Sequence, residues 1–338
     1  MEIDNLIKKT ETLIEYFRSV NPDITHLEKK HAPLIAQIVS NYNLTPSAPG
    51  VIPEAQMIFL GAPTGSGKDT LIRKIETENQ DINFVSLNMD MFRHYHNEIM
   101  ESDEYISDKD YAKVTNQSSY ELYYIIQELI LREFPGTNII VTGTMRDLDW
   151  IKEICDRYRY DKKTKYKISL ATLAVPTKES ALSIFERYLR LVDTRDLDKP
   201  VPLRYTGLEY HDDSVKKFSN NIHFMENNMH QAPNNRYFSS IKVYRRSADI
   251  TDLTEDTLVY DSNNPDPNKC AHAHILSIMN SEPAFTPERV FELLDIIKRN
   301  SEYLKKQGLY ESVLTNIKNI VTKPKEIIKA PEDDDGAK

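Results

Sequence analysis

Residues 57–70 read Met57-Ile-Phe-Leu-Gly-Ala-Pro-Thr-Gly-Ser-Gly-Lys68-Asp69-Thr70, an apolar run followed by a glycine-rich turn, a lysine and a helical pattern. This order is typical of a buried strand that leads into a phosphate-binding loop, or P-loop. Backbone N–H groups of such a loop converge on phosphate oxygens, and the next helix directs its positive end at them. Gly65 and Gly67 let the backbone approach an anion closely. The predicted nucleotide-binding residues are Gly61, Ala62, Pro63, Thr64, Gly65, Ser66, Gly67, Lys68, Asp69 and Thr70.

Two positions depart from the usual spacing of such loops, G-x4-G-K-[ST]. Ala62 stands where the first glycine belongs, and Gly61 comes one residue early. Asp69 replaces the hydroxyl residue that normally ligates Mg²⁺, and Thr70 comes one residue too late for that role. A carboxylate can also ligate Mg²⁺, although it adds negative charge beside the phosphates, so Asp69 is the candidate ligand for Mg²⁺ in a nucleotide-binding site.

The composition is that of an ordinary globular protein: 338 residues, 40% hydrophobic and 28% charged, with a net charge of −9. The negative balance argues against a nucleic-acid-coating surface, so no nucleic-acid partner is expected. Cys155 and Cys270 are the only cysteines, which suggests a reducing compartment. No apolar run approaches the roughly 20 residues that span a bilayer, and Met1-Glu-Ile-Asp does not open a signal peptide. We therefore expect a cytoplasmic protein with no membrane partner.

The hydrophobic pattern predicts an α/β fold. Two amphipathic helices, 3–19 and 26–43, precede a Pro-rich stretch at 45–53. Strands and helices then alternate, which implies a mostly parallel, twisted sheet covered by helices on both faces, with chemistry at the carboxyl ends of the strands. The predicted strands are 57–61, 83–87, 138–142 and 167–174, and the helices between them are 68–77, 117–133 and 147–158.

The second half of the chain has a helix at 178–193, an irregular stretch at 194–212, a helix at 213–229, a strand at 239–245 and a loop at 261–268. Two further helices are predicted at 286–304 and 308–322. We expect four parts: an N-terminal helical extension, 1–50; a P-loop core, 51–262; a C-terminal helical region, 263–325; and a disordered acidic tail, 326–338.

Several polar residues follow the predicted strands. Asp90 follows the second strand, where a carboxylate can hold Mg²⁺ or take a proton from an attacking hydroxyl; a helix N-cap is the equally favoured alternative. Thr142, Thr144 and Arg146 end the third strand around Gly143, where a small ligand can approach the backbone.

Arg187 and Arg204 are candidate clamps for a γ-phosphoryl group, since arginine offers a fork of donors. Taken singly, either residue is more often an ordinary surface arginine.

In their order these segments resemble the zeta toxin family of small-molecule kinases. The resemblance covers about residues 55–262 and depends on the whole set of motifs, because each motif is weak alone. After the P-loop, the matching segments are Asp90-Met-Phe-Arg-His-Tyr-His96, Thr115-Asn-Gln-Ser-Ser119, Thr142-Gly-Thr144-Met-Arg146, Glu186-Arg187-Tyr188, Arg204 before His211-Asp212, and Ile241-Lys-Val-Tyr-Arg245.

The resemblance implies transfer of the γ-phosphoryl group of ATP to a hydroxyl of a nucleotide sugar of the UDP-N-acetylglucosamine class, in an enzyme restrained by an antitoxin protein. Carried over, Lys68 binds the β/γ-phosphates, Asp90 is the general base, and Arg187 with Arg204 stabilises the transferring group. The substrate side is lined by Thr144 and Arg146, with Thr115 a further candidate. Thr142 stands where the family has an acidic residue, which leaves the acceptor open.

Two other interpretations of the function remain at this point. The chain could be a P-loop kinase acting on a nucleoside, an antibiotic or an RNA end, or it could be a nucleotide-binding module whose catalysis has decayed. Independently of these, the two N-terminal helices could either pack on the core as structural elements or act in cis as a partial lid over the nucleotide site.

Overall fold

The structure, a computed structural model, describes residues 2–48, 50–196, 202–232, 235–246, 258–265, 270–283, 285–324 and 327–329. Its helices are α1 Ile3–Val20, α2 Ala32–Ser40, α3 Lys68–Glu78, α4 His96–Met100, α5 Asp108–Val114, α6 Asn116–Glu133, α7 Leu148–Arg159, α8 Thr177–Thr194, α9 Leu208–Asn228, α10 Ala271–Met279, α11 Pro287–Arg299, α12 Ser301–Lys306 and α13 Tyr310–Thr322. Two 3-10 helices cover Lys29–His31 and Met89–Tyr95.

The strands form one mostly parallel sheet, which confirms the predicted fold class. They are β1 Glu54–Gly61, β2 Phe84–Leu87, β3 Asn138–Gly143, β4 Lys165–Ala174, β5 Ser240–Arg245 and β6 Leu258–Asp261. Their order across the sheet is β2-β3-β1-β4-β5-β6, and only β6 runs antiparallel. The P-loop strand β1 is therefore central, between β3 and β4. Residues that follow β1, β2 and β3 consequently emerge at one edge of the sheet.

Both faces of the sheet are covered because alternate residues of β1 point to opposite sides. Met57 and Phe59 lie in a core shared with α6, α7, α9 and α10. Ile58 and Leu60 lie in a second core with α3. A third core joins α8 to α11, α12 and α13. The C-terminal helices thus pack mainly on one helix of the P-loop unit.

The N-terminal helices belong to the main core. Apolar residues of α1 and α2 are buried with those of α6. Between them, the fully buried carboxylate of Glu121 in α6 accepts the backbone N–H groups of Thr25, His26 and Leu27 at 3.0, 2.9 and 2.9 Å. Burial alone would raise the pKa of Glu121, but these N–H donors hold it below its usual value. The packing supports a structural role for these helices.

Several predicted boundaries were wrong. The helix expected over 26–43 is limited to the 3-10 turn and α2, because Glu121 fixes residues 25–27 in another conformation. The helix expected at 213–229 starts five residues earlier, at Leu208, directly after Gly207. The helix expected over 286–304 is interrupted at Asn300, which ends α11 and precedes α12.

Four short helical segments and one strand were not predicted. They are the 3-10 helix at Met89–Tyr95, α4, α5, α10 and β6. The last residue of β6, Asp261, was predicted to be the first residue of the loop 261–268. They are too short for a hydrophobic period to show. Of the predicted acidic tail 326–338, only 327–329 fall within the described residues. Among the described helices, none combines the length and the apolar character needed to cross a bilayer.

Candidate active site

The P-loop is shaped by two glycines in left-handed backbone conformations. Gly65 has φ 80° and Gly67 has φ 95°, a region that other residues rarely adopt. A Cβ on Gly65 would lie 2.2 Å from the backbone oxygen of Ser180 in α8. Gly67 is the N-cap of α3, which begins at Lys68. The backbone N–H groups at this helix N-terminus form an anion-binding position at the carboxyl end of β1.

Lys68 folds back over the loop. Its Nζ donates hydrogen bonds to the carbonyl oxygens of Ala62 and Pro63 at 2.8 and 3.1 Å. The side chain keeps some solvent-exposed surface, yet protein encloses it closely enough that burial lowers its pKa to about 8. The negative charges of Asp90 and Asp69 oppose this shift. An arriving phosphate can therefore exchange for the two carbonyls and favour the charged form of the lysine.

The displaced glycine of the loop has a packing role. A Cβ on Gly61 would lie 2.2 Å from Cγ of Met145, the residue between Thr144 and Arg146. Met145 is buried and has φ 57°, and its carbonyl oxygen accepts a hydrogen bond from Nδ2 of Asn221 at 2.7 Å. Gly61 is therefore needed for the close approach of β1 to the turn after β3.

Asp90 lies in the 3-10 helix that directly follows β2. The N-cap of this helix is Asn88, whose side chain accepts the backbone N–H of Asp90 at 3.0 Å. The alternative in which Asp90 is itself the cap is therefore wrong. The carboxylate accepts hydrogen bonds from Nε of Arg93 at 2.9 Å and from Nη1 of Arg204. Burial would raise the pKa of Asp90, but the two guanidinium groups hold it below its usual value. Asp90 is thus ionised and fixed in orientation.

Arg93 is a site residue that the sequence analysis quoted only as part of a motif. It is 5% exposed. Besides Asp90, it donates to the carbonyl oxygen of Ala112 at 2.7 Å, to Oγ1 of Thr115 at 3.0 Å and to Oδ1 of Asn116 at 3.4 Å. Thr115 is fully buried and donates its own hydroxyl hydrogen to Tyr111. The structure therefore places Thr115 behind Arg93, where it supports the guanidinium.

Arg187 and Arg204 are brought together although they lie in different segments. Burial lowers the pKa of Arg187, and the positive charge of Arg204 lowers it further, while Asp69 and Asp90 oppose this effect. More than a third of the surface of Arg187 is nevertheless open to solvent. Arg187 makes no hydrogen bond or ion pair within the described residues. The same charges act on Lys68, so the five groups form one cluster.

The end of β3 lies at the same edge of the sheet. Thr142 pairs in register with Leu60, just before the P-loop, and is buried, whereas Thr144 is half-buried. The guanidinium of Arg146 lies 4.4 Å from the centre of the Tyr210 ring and 3.6 Å from Asp213. Across the described parts of the chain, no hydrogen bond or ion pair connects Arg146 to the Lys68–Asp90 cluster. Arg146 is directed instead towards α9.

Arg246, a second residue that the sequence analysis did not predict, donates a hydrogen bond to the P-loop. It follows β5, is 8% exposed, and donates from Nη1 to the carbonyl oxygen of Gly65 and to Oγ of Ser183, both at 3.1 Å. Its Nη2 lies 3.4 Å from Glu179, and burial lowers its pKa. Arg289 of α11 reaches the same Ser183 at 3.1 Å. Its place directly after β5, at the carboxyl end of a parallel strand, was the available signal.

This arrangement has the parts needed for phosphoryl transfer. A phosphate-binding loop, an ionised carboxylate and two arginines converge, and such reactions depend mostly on alignment and positive charge. Asp69 is exposed in the first turn of α3. Kinase sites hold Mg²⁺ through one or two carboxylates together with substrate phosphates, so a single exposed carboxylate beside the loop fits a metal ligand.

Comparison with known structures finds the same fold. A structure described as the PezAT chromosomal toxin–antitoxin system of Streptococcus pneumoniae is 23% identical, with a TM-score of 0.55, covering 82% of this chain and 95% of that one. The AvrRxo1-ORF1:AvrRxo1-ORF2 structures with sulphate ions and with ATP are 11% and 10% identical, both with TM-scores of 0.52. They cover 86% and 87% of this chain, and 89% and 90% of those chains. At these identities the similarity establishes the fold.

No curated protein matches the chain. The sequence profile described as zeta toxin matches residues 49–265. That match spans more than half of the chain and includes the P-loop, Asp90 and both arginines, so the chain belongs to the zeta toxin family, a family of ATP-using kinases.

Proposed function

We propose that this kinase transfers the γ-phosphoryl group of ATP to a hydroxyl of a nucleotide sugar of the UDP-N-acetylglucosamine class. The observation that carries the proposal is the pairing of Asp90 with Arg93 and Arg204, within electrostatic reach of Lys68 in the P-loop. One carboxylate is thereby fixed where an acceptor hydroxyl and a loop-bound phosphate would meet.

In the proposed reaction Lys68 leaves the carbonyls of Ala62 and Pro63 and neutralises the β- and γ-phosphates. Arg187 and Arg204 interact with charge that spreads over the transferring group. Asp90 orients the acceptor hydroxyl and receives its proton. Because its pKa is lowered, Asp90 is ionised at neutral pH but is a weak base, which suits a loose transition state in which the proton leaves late.

We propose that Asp69 holds Mg²⁺ when ATP is bound. When bound, the metal would reduce the negative charge of the phosphates. The carboxylate is exposed and acts on both Lys68 and Arg187 electrostatically, so it lies beside the phosphate position. P-loops usually have a Ser or Thr hydroxyl as the magnesium ligand at this position, and here Asp69 would provide a charged ligand instead.

The acceptor is proposed to lie against the end of β3. Thr144 is half-buried and borders the P-loop strand, and Thr142 contributes an uncharged side chain there. Arg146 stacks on Tyr210, and the pair offers a cationic and aromatic surface of the kind that binds a nucleotide base or diphosphate. We also propose a separate antitoxin partner, supported by the toxin–antitoxin description of the PezAT structure.

The test is ATP consumption by the purified protein across a panel of UDP-sugars, nucleosides, aminoglycosides and RNA ends. Phosphorylated UDP-N-acetylglucosamine as the preferred product, absent with Lys68→Ala and Asp90→Asn, supports the proposal. Preference for another acceptor would redirect it to a kinase of different specificity. ATP binding without turnover on any acceptor would favour a binding module.

A further inference from the structure

A buried carboxylate outside the site described above joins four segments of the chain. Asp108 is the first residue of α5 and is fully buried. Its Oδ2 accepts hydrogen bonds from the hydroxyls of Tyr188 and Tyr303 at 2.8 and 2.7 Å, and its Oδ1 accepts the backbone N–H of Leu203 at 2.8 Å. Its own N–H donates to Oε1 of Gln307 at 2.9 Å. Both oxygens of the carboxylate therefore accept hydrogen bonds, from groups that are far apart in sequence.

Two of these partners are sequence neighbours of the two arginines in the charge cluster. Tyr188 follows Arg187 in α8, and Leu203 precedes Arg204. Residues 202–207 form no helix or strand, so the position of Arg204 depends on anchors outside its own segment. Among the described residues, Asp108 supplies the hydrogen bond to the backbone on the N-terminal side of Arg204. Burial and the neighbouring Asp108 carboxylate raise the pKa of Tyr188 and Tyr303, which keeps both phenols protonated as donors.

The C-terminal half of α5 contacts Arg93, the arginine that holds Asp90. Ala112 lies four residues after Asp108 and accepts a hydrogen bond from Arg93, which in turn holds Asp90. Four residues of α-helix span only about 6 Å. The short helix α5 therefore contacts the segment of Arg204 through Asp108 and the partner of Asp90 through Ala112. Arg204 and Asp90 also form an ion pair with each other.

The remaining partners come from the C-terminal helices, which lie beyond the zeta toxin match that ends at residue 265. Tyr303 and Gln307 belong to α12 and its C-cap. In the neighbouring contacts, the Tyr205 hydroxyl lies 3.1 Å from Oγ of Ser312 in α13, and the Tyr205 ring packs edge-on against Tyr188 at 5.4 Å. The segment that carries Arg204 is therefore built on these helices.

We propose that Asp108 is a positioning residue that sets Arg204 and Arg187 relative to Asp90, with the C-terminal helices as an integral part of the catalytic unit. The inference rests on the proposed phosphoryl transfer, in which those arginines act on the transferring group. It assigns to α12 and α13 a role in turnover, exerted through the 202–207 segment.

The experiment compares Asp108→Asn and Tyr303→Phe in the full-length chain, with Tyr310→Phe as the matched control. Tyr310 packs against the same C-terminal core, but its hydroxyl makes no hydrogen bond to Asp108 or to any other described residue. We expect Asp108→Asn to lower kcat about 10- to 100-fold, the scale of a misplaced catalytic group, and Tyr303→Phe to lower it less. The KM for ATP stays close to wild type in both, and Tyr310→Phe is unchanged.

A double-mutant cycle separates positioning from general destabilisation. If Asp108 acts through Arg204 and Arg187, adding Asp108→Asn to the combined Arg187→Ala/Arg204→Ala variant lowers kcat little further, because the groups that it positions are already gone. An equal fold-loss in both backgrounds, or an unchanged kcat in folded Asp108→Asn and Tyr303→Phe, overturns the proposal. If Asp108→Asn does not fold, Tyr303→Phe and its cycle decide alone.

Hydrogen exchange supplies a readout that needs no catalysis. The Leu203 amide should exchange faster in Asp108→Ala, which removes both acceptor oxygens, than in wild type, while amides of β1 keep their protection. Unchanged protection of Leu203 overturns the anchoring itself. A wild-type protein that phosphorylates no acceptor would instead remove the proposed function, and the exchange result would still report on the anchor.

Discussion

Replacing Asp90 by asparagine tests the central group of the site. The change keeps the shape of the side chain and an oxygen that can accept from Nε of Arg93, now 2.9 Å away, but it removes the charge and the proton acceptor. Loss of a general base lowers turnover by about 10² to 10⁴. ATP affinity should change little, because Lys68 and the loop amides bind the phosphates. Turnover and ATP binding are measured separately, by product formation and by calorimetry.

The same substitution has a calculable effect on stability. The Asp90 side chain is 35% exposed and its partner Arg93 is 6% exposed, so the pair lies between an exposed ion pair, about 0–1 kcal/mol, and a buried one, about 3–5 kcal/mol. We expect a loss of about 1–2 kcal/mol, seen as a Tm lower by a few degrees. Because the folded pKa of Asp90 lies below its ordinary value of 3.8, this stabilisation is present above that pH and is lost as the pH falls through the folded value.

Asp149→Asn is the control, since Asp149 is 95% exposed and lies on α7. It should leave turnover and Tm unchanged. Turnover of Asp90→Asn within a few-fold of wild type would refute the role of Asp90 as base. A parallel loss of ATP affinity would show instead that Asp90 acts in nucleotide or metal binding.

Four further outcomes follow from the charges and packing of the site. Lys68→Ala should weaken ATP binding. In the wild-type protein, ATP affinity should fall by about tenfold per pH unit above about pH 8, where Lys68 loses its proton. An ATP affinity that does not change with pH would contradict the role of Lys68. Arg187→Ala and Arg204→Ala should mainly lower kcat at constant ATP affinity, and normal turnover in both would eliminate the clamp. Activity should require Mg²⁺ and survive Asp69→Ser or Asp69→Thr, so loss of activity in both would make the carboxylate itself indispensable. Deleting residues 1–50 should give an unfolded or insoluble protein, because the buried carboxylate of Glu121 would lose its N–H donors. A folded and more active truncated protein would instead support the hypothesis that the N-terminal helices act as a lid over the nucleotide site.

The parallel sheet and the P-loop could be predicted from the sequence because their signals are local. A central strand buried on both faces is a continuous apolar run, as in residues 57–60, and a phosphate loop needs its glycines and lysine in consecutive positions. The elements that were missed, such as α5 and β6, are too short to show a period. The helix predicted over 26–43 failed for a different reason, since a side chain 94 residues away, Glu121, determines the conformation there.

For the site, the sequence by itself determined the P-loop and, through the order of motifs, the family and the candidate residues Lys68, Asp90, Arg187 and Arg204. The tertiary structure decided how they are supported: Arg93 behind Asp90, Arg246 behind Gly65, and Asp108 behind the arginines. Each of these contacts except the first joins segments that are distant in the chain; Asp108 and Leu203 are 95 residues apart. Hydrophobic periodicity reports only which face of an element is buried. A hydrogen bond between two buried groups exists only once the cores have placed the elements side by side.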